Sequence, residues 1–163
     1  MVPKPKKSLP TLKELIPAER IALDVEAPDW REAIRISGQL LVDTQVVEQR
    51  YIEAMIKTAE ELGPYIVIAP QIALPHARPE DGALGTGLSL VRLHTPLDFG
   101  HSDHDPVILI FGLAAINKHI HVRALQTLAE VLSTDYLVDE LMKARSVEDV
   151  YLIFDKAEQL NDE

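Results

Sequence analysis

Residues 107–115 read VILIFGLAA and contain no polar side chain. An apolar run of this length predicts a β-strand that is covered on both faces, because a strand with one solvent face alternates apolar and polar residues. A strand covered on both faces needs packed layers above and below it. The run therefore indicates a layered fold around a central sheet.

Shorter β-type runs precede this strand. They lie at residues 21–25, 65–69, 72–74 and 87–93. Pro28 follows the first run, which we predict to be an edge strand, since proline is confined to the edges and ends of sheets. The chain thus supplies several short strands before the central one.

Helical periodicity surrounds these strands and predicts five helices. They cover about residues 29–42, 48–62, 121–132, 134–144 and 146–160. Asp29 with Glu32, and Ser146 with Asp149, form start signals in front of apolar stripes. With helices before and after the strands, we predict an α/β fold with a mixed β-sheet flanked by helices on both faces.

The length of 163 residues fits one domain. The Pro- and Lys-rich start of the chain predicts a flexible N-terminal segment at residues 1–20, followed by a domain at residues 21–163. That start does not resemble a signal peptide, and no stretch approaches the ~18 apolar residues of a membrane span. We expect a cytoplasmic protein.

Charge and cysteine content exclude several classes of function. The formal net charge is −10, which makes nucleic acid a poor partner and favours a protein partner with a basic face. There is no cysteine. Disulfides, thiolate zinc sites, iron–sulfur clusters and cysteine nucleophiles are therefore excluded.

His76 is the first candidate for chemistry. It lies between Pro75 and Pro79, directly after a predicted strand, where a rigid loop presents a side chain at the rim of a sheet. Arg78, two residues on, could donate two hydrogen bonds to an anion. The alternative is an ordinary surface histidine in a turn.

His121 is the second candidate, because it opens the helix predicted after the central strand. Free N–H groups and a partial positive charge at a helix start favour phosphate, and the same charge favours a neutral imidazole. The alternative is a local capping group. A nucleophilic His76 beside a neutral His121 indicates covalent phosphate chemistry on a histidine.

At these residues the chain resembles the IIA component of the bacterial sugar phosphotransferase system, in the fructose/mannitol class. The segment 73–78 (ALPHAR) is similar to the phosphohistidine motif of that family, and residues 121–132 are similar to its H-x-x-x-L-x-x-L-A-x-x-L element. The resemblance extends over about residues 21–160. It implies the family fold, a phosphohistidine at His76 and a phosphate-stabilising role for His121.

Residues 63–70 and 75–82 resemble the ascorbate branch of this family, which implies uptake of a sugar acid. Mannitol-type members carry an arginine late in the second helix, and Thr58 stands at that position here. The resemblance further implies a histidine phosphocarrier protein as donor, a IIB component as acceptor and a membrane IIC transporter beyond it. It requires no metal or nucleotide cofactor, and it leaves a homodimer open.

Two other hypotheses remain at this point. The first is a regulatory phosphohistidine protein of the same family that is not coupled to transport, since its site residues would be the same. The second is a metal site built from His119, His121 and the ligand-rich residues 101–105. Zinc or iron would need three or four of these side chains to converge.

Overall fold

The apolar run forms the middle strand of a five-stranded mixed sheet. A computed structural model describes residues 9–161. The strands are β1 (Ile21–Val25), β2 (Val67–Ala69), β3 (Ile72–Ala73), β4 (Gly87–Leu97) and β5 (Val107–Ala114). Their order across the sheet is β1-β4-β5-β3-β2. The β1–β4 and β3–β5 pairs are parallel, whereas β4–β5 and β2–β3 are antiparallel.

Helices cover both faces of this sheet. They are α1 (Leu12–Leu15), α2 (Trp30–Asp43), α3 (Arg50–Leu62), α4 (Lys118–Leu132), α5 (Asp135–Lys143) and α6 (Val147–Asn161). Leu109, Phe111 and Leu113 of β5 pack in a core with α1, α4, α5 and α6. Ile110 and Ala114 pack in a second core with α2 and α3. The predicted fold class and the two-sided burial of this strand are confirmed.

Local signals predicted several element ends well. The Asp29 carboxylate accepts the Glu32 N–H at 2.9 Å at the start of α2, and the Ser146 hydroxyl accepts the Asp149 N–H at 3.1 Å at the start of α6. Gly63 ends α3 with a φ of 67°. A backbone N–H bonded by such a side chain stabilises the first turn, which is why these patterns are reliable.

Some predicted strand bounds were wrong. The run at 65–69 is a strand only over β2, because residues Gly63–Ile66 form a 3₁₀ turn with Pro64 near its start. In the other direction, β4 extends to Leu97 rather than stopping at residue 93.

The predicted flexible segment at residues 1–20 lies partly outside the described residues. Its described part, residues 9–20, contains a short helix and buried side chains. The Thr11 hydroxyl and the Glu14 carboxylate cap α1 reciprocally, and Leu12 is fully buried in the core. Arg20 is only 7% exposed and donates to the carbonyls of Leu15 and Leu88. Apolar anchors and this arginine fix the segment to the sheet.

Two parallel strands bring distant loops to one edge of the sheet. Because β3 and β5 are parallel, the loop after β3 and the start of α4 after β5 lie beyond the same strand ends. Open α/β sheets bind their ligands at this kind of edge. No helix within residues 9–161 has the length and the apolar composition to cross a bilayer.

Candidate functional site

The loop after β3 holds His76 against the end of β5. The Leu113 N–H donates to the Pro75 carbonyl at 3.0 Å, and His76 forms an isolated parallel bridge with Leu113. This isolated bridge keeps the register of the β3–β5 pairing beyond Ala73 and Ile110, so the histidine stands on a rigid base. Its side chain is half-buried.

One hydrogen bond sets the chemistry of the His76 ring. Its Nδ1 lies 2.9 Å from the Leu74 carbonyl oxygen. A carbonyl oxygen only accepts, so Nδ1 carries the hydrogen, and in the neutral ring Nε2 keeps its lone pair. The loop therefore presents Nε2 as the nucleophilic nitrogen.

His121 lies one turn inside α4 rather than at its first position. The helix begins at Lys118, and the Asn117 side chain caps it by accepting the Ile120 N–H at 2.9 Å. The prediction that His121 opens the helix is wrong, and so is the alternative that it is the capping group, since Asn117 takes that role. Asparagine is among the residues preferred as a cap, so this signal was readable in the sequence.

The structure brings the two candidate histidines together. The ring centres of His76 and His121 are 5.7 Å apart, and the rings meet edge to face at 69°. Burial, followed by the nearby His76, lowers the pKa of His121 below its ordinary value. The sequence predicts a neutral His121 on the ground of the helix dipole. The lowered pKa agrees with a neutral ring, but its main physical cause is burial.

A pocket of about 400 Å³ opens beside the two rings. It is lined by Thr58, His76, Ala77, Arg78, Pro79, Asn117, Lys118, His121 and Val122. Thr58, the position that the resemblance gives to a helix arginine in mannitol-type relatives, is thus part of the wall.

Two of the lining residues carry positive charge. Arg78 is exposed, and its Nε lies 3.8 Å from a Glu80 oxygen and 3.7 Å from an Asp81 oxygen. Lys118 takes part in none of the ion pairs formed within residues 9–161. Sequence reasoning missed Lys118, although a cation in the first turn of a helix, where the dipole disfavours it, was a readable signal.

His94, His101 and His104 lie away from this pocket. His101 and His104 stack on each other in the turn before β5, and His94 pairs with Asp24 on the sheet edge. Within residues 9–161, no three His, Asp or Glu side chains gather closely enough to hold a metal ion. The ligands suggested for a metal site are not brought together in this part of the chain.

Comparison with known proteins finds similar sequences over most of the chain. Residues 14–157 match the family described as phosphoenolpyruvate-dependent sugar phosphotransferase system, EIIA 2. The ascorbate-specific PTS system EIIA component of Escherichia coli K12 is 39% identical over 137 residues, which cover 83% of this chain and 89% of that protein.

Solved structures extend the likeness to the fold. The mannitol-specific cryptic phosphotransferase enzyme IIA CmtB of Escherichia coli aligns with a TM-score of 0.80 and 36% identity, covering 89% of this chain and 98% of its own. The enzyme IIA of mannitol in its complex with phosphorylated enzyme IIB, also from Escherichia coli, aligns with a TM-score of 0.74 and 32% identity. That alignment covers 85% of this chain and 96% of the other.

Proposed function

The chain belongs to the EIIA 2 family of the phosphoenolpyruvate-dependent sugar phosphotransferase system, and on this premise we propose that Nε2 of His76 carries the phosphoryl group. As a member of that family, the protein is a phosphotransferase component that carries phosphate through a phosphohistidine intermediate. The single observation that supports His76 is its hydrogen bond to the Leu74 carbonyl beside a pocket shared with His121.

The transfer step follows from this tautomer. The Nε2 lone pair attacks the donor phosphorus and forms a P–N bond, while the bond from phosphorus to the donor breaks and leaves its electron pair on the donor. The attacking His76 ring becomes positively charged, and the Nδ1–H donating to the Leu74 carbonyl stabilises that charge. No separate base is needed, because Nε2 carries no hydrogen.

Phosphate oxygens need hydrogen-bond donors and positive charge in this pocket. We assign that role to His121, to the N–H groups in the first turn of α4 and to the Lys118 ammonium, with Arg78 as an outer charge. Phosphoryl transfer has a loose transition state, so positioning and charge stabilisation supply most of the catalysis. Lys118 thereby supplies a positive charge in the wall of this pocket.

The partners follow from the family. IIA components of this family work with a IIB component, as in the complex of the mannitol enzymes. We propose further that a histidine phosphocarrier protein is the donor. After IIB, the phosphoryl group would serve a membrane IIC transporter. The transfers between donor, this protein and IIB would take place in the cytoplasm. The net charge of −10 suits a donor with a basic face. A homodimer remains part of the proposal, to be checked by sedimentation.

The relatives also indicate a substrate. The curated protein at 39% identity is named as ascorbate-specific. We therefore propose that the system takes up ascorbate or a closely related sugar acid. The test is growth on ascorbate as the carbon source after deletion of this gene, with and without its reintroduction.

The carrier role is tested by phosphoryl acceptance from a purified phosphocarrier and its kinase. We expect stoichiometric labelling of the wild-type chain, and phosphorus NMR should assign the label to Nε2 of His76. Label on another residue, or on Nδ1, would contradict the proposed site. Transfer onward to a purified IIB component distinguishes a transport protein from a regulator that only accepts phosphate.

A further inference from the structure

A buried hydroxyl bonds to the main chain beside the proposed phosphohistidine. The Tyr51 side chain of α3 is fully buried in the core shared by α2 and α3. Its oxygen accepts the Ala77 N–H at 3.0 Å, and it lies 2.9 Å from the Leu113 carbonyl oxygen and 3.1 Å from that of Ala77. All of these partners border His76: Ala77 follows it in the chain, and Leu113 forms the bridge with it.

The hydroxyl occupies a place where two strands separate. The Leu113 N–H already donates to the Pro75 carbonyl, and in a parallel ladder the next bond would join the Ala77 N–H to the Leu113 carbonyl. The Tyr51 oxygen bridges these two atoms by accepting from one and donating to the other. The loop thus leaves β5 at His76 while its backbone groups stay bonded.

Packing of the core does not explain the hydroxyl of Tyr51, since the ring of a phenylalanine would fill the same space. A buried polar group is tolerated when its hydrogen bonds are made, and here every one of them goes to main chain around His76. Burial also raises the pKa of Tyr51 to about 12. The hydroxyl therefore stays protonated and able to donate at any pH at which the protein works.

We infer that Tyr51 is a positioning residue for phosphoryl transfer: through Ala77 and Leu113 it holds the loop so that His76 faces the pocket it shares with His121. This inference rests on the proposed role of His76. Tyr51 does not line the pocket and so does not touch the phosphoryl group. Its contribution is the orientation of the ring that reacts.

The test is Tyr51→Phe, which keeps the ring and removes the hydroxyl. We expect kcat for phosphoryl acceptance to fall about 10-fold or more, because small misplacements of a reacting group are costly, while KM for the donor stays unchanged, because the docking surface is intact. Nitrogen NMR of the His76 ring should show a weaker preference for hydrogen on Nδ1. A purely structural role would leave that signature unmoved.

The matched control is Tyr151→Phe. Tyr151 packs on the other core, on the opposite face of the sheet, so removal of its hydroxyl should leave kcat unchanged. The inference is overturned if Tyr51→Phe reacts at the wild-type rate, or if its loss of rate matches a loss of folded protein measured by NMR. If the wild-type chain itself takes up no phosphate on His76, the proposed function fails first, and the two failures are distinguishable.

Discussion

Two pairs of histidines lie close together in this protein, at opposite ends of β5. His76 and His121 meet beyond its carboxyl end with ring centres 5.7 Å apart. His101 and His104 stack in the turn before its amino end, with ring centres 4.2 Å apart and planes 14° from parallel. The rings of the second pair are therefore closer together than those of the first, so distance between rings does not identify the functional pair.

The backbone partner of Nδ1 separates His76 from His101, whereas the buried Nδ1 of His104 has no hydrogen-bond partner within residues 9–161. His76 Nδ1 donates to a carbonyl, which leaves the Nε2 lone pair free. His101 Nδ1 accepts the N–H groups of Asp103 and His104 at 3.2 and 3.1 Å, so its lone pair is engaged and Nε2 carries the hydrogen. A carbonyl on Nδ1 prepares a nucleophile, whereas N–H groups on Nδ1 make the ring a turn-stabilising acceptor.

The groups around His101 and His76 also differ, because those at His101 bond to one another and those at His76 border a pocket. The Asp105 carboxylate accepts the N–H groups of Phe99, Gly100 and His101 and so closes the turn on itself. Beside His76, by contrast, lies a pocket with a lysine that forms no ion pair within residues 9–161. Polar groups that satisfy one another stabilise a fold, and polar groups that face a pocket are available to a ligand.

The strongest test of this contrast compares His76→Gln with His101→Gln. We expect His76→Gln to lose phosphorylation to background, a loss of roughly 1,000-fold or more, because the substitution removes the Nε2 that forms the P–N bond. His101→Gln should be labelled at the wild-type rate. Incorporation of labelled phosphate from the purified donor measures both, and an acid-labile label retained in His76→Gln would refute the assignment.

A second prediction concerns the partner ring. His121→Ala should slow phosphoryl transfer by about 100-fold, since it removes a donor aimed at the developing phosphate charge. His119→Ala is the matched control, because His119 is exposed in the same turn of α4 but does not line the pocket. Rapid-quench kinetics with the donor measure both variants. Equal rates for the two would remove the proposed role of His121.

A smaller effect is expected for Lys118, which forms no ion pair within residues 9–161. Lys118→Gln should slow transfer about fivefold at low salt, because an exposed ammonium contributes modestly to a phosphate in water. The difference from wild type should shrink at high ionic strength. Lys143→Gln removes the same charge from α5, away from this pocket, and should have no effect. A rate of Lys118→Gln that equals wild type at low salt counts against Lys118.

The smallest expected effect is on titration. The pKa of His121 is lowered by burial, whereas the Asp24 hydrogen bond raises the pKa of His94, so NMR titration should place the two on opposite sides of ~6.5. A folded-state pKa below the unfolded value means that the unfolded chain binds more protons there, so stability falls as pH drops below ~6.5. Urea unfolding at pH 7.5 and 5.5 should show a smaller decline for His121→Gln than for wild type.

Much of the architecture was predictable from local patterns. The apolar run at residues 107–115, the Asp29 and Ser146 caps and the stop at Gly63 all act within a few residues of one another, and the structure confirms each. The contacts of Leu12 and Arg20 could not be predicted from the sequence, because both residues are held by partners distant in sequence. The prolines and lysines nearby are typical of a flexible segment, and they gave no sign of these contacts.

The sequence by itself determined the layered α/β class and pointed to His76 and His121, because hydrophobic periodicity and short motifs are local information. Only the tertiary structure decided that the parallel pairing of β3 with β5 brings these two rings together. It also decided that the Leu74 carbonyl selects the reactive nitrogen and that the Tyr51 hydroxyl supports the loop. Strand pairing and hydrogen-bond partners depend on how distant segments pack, which no local pattern specifies.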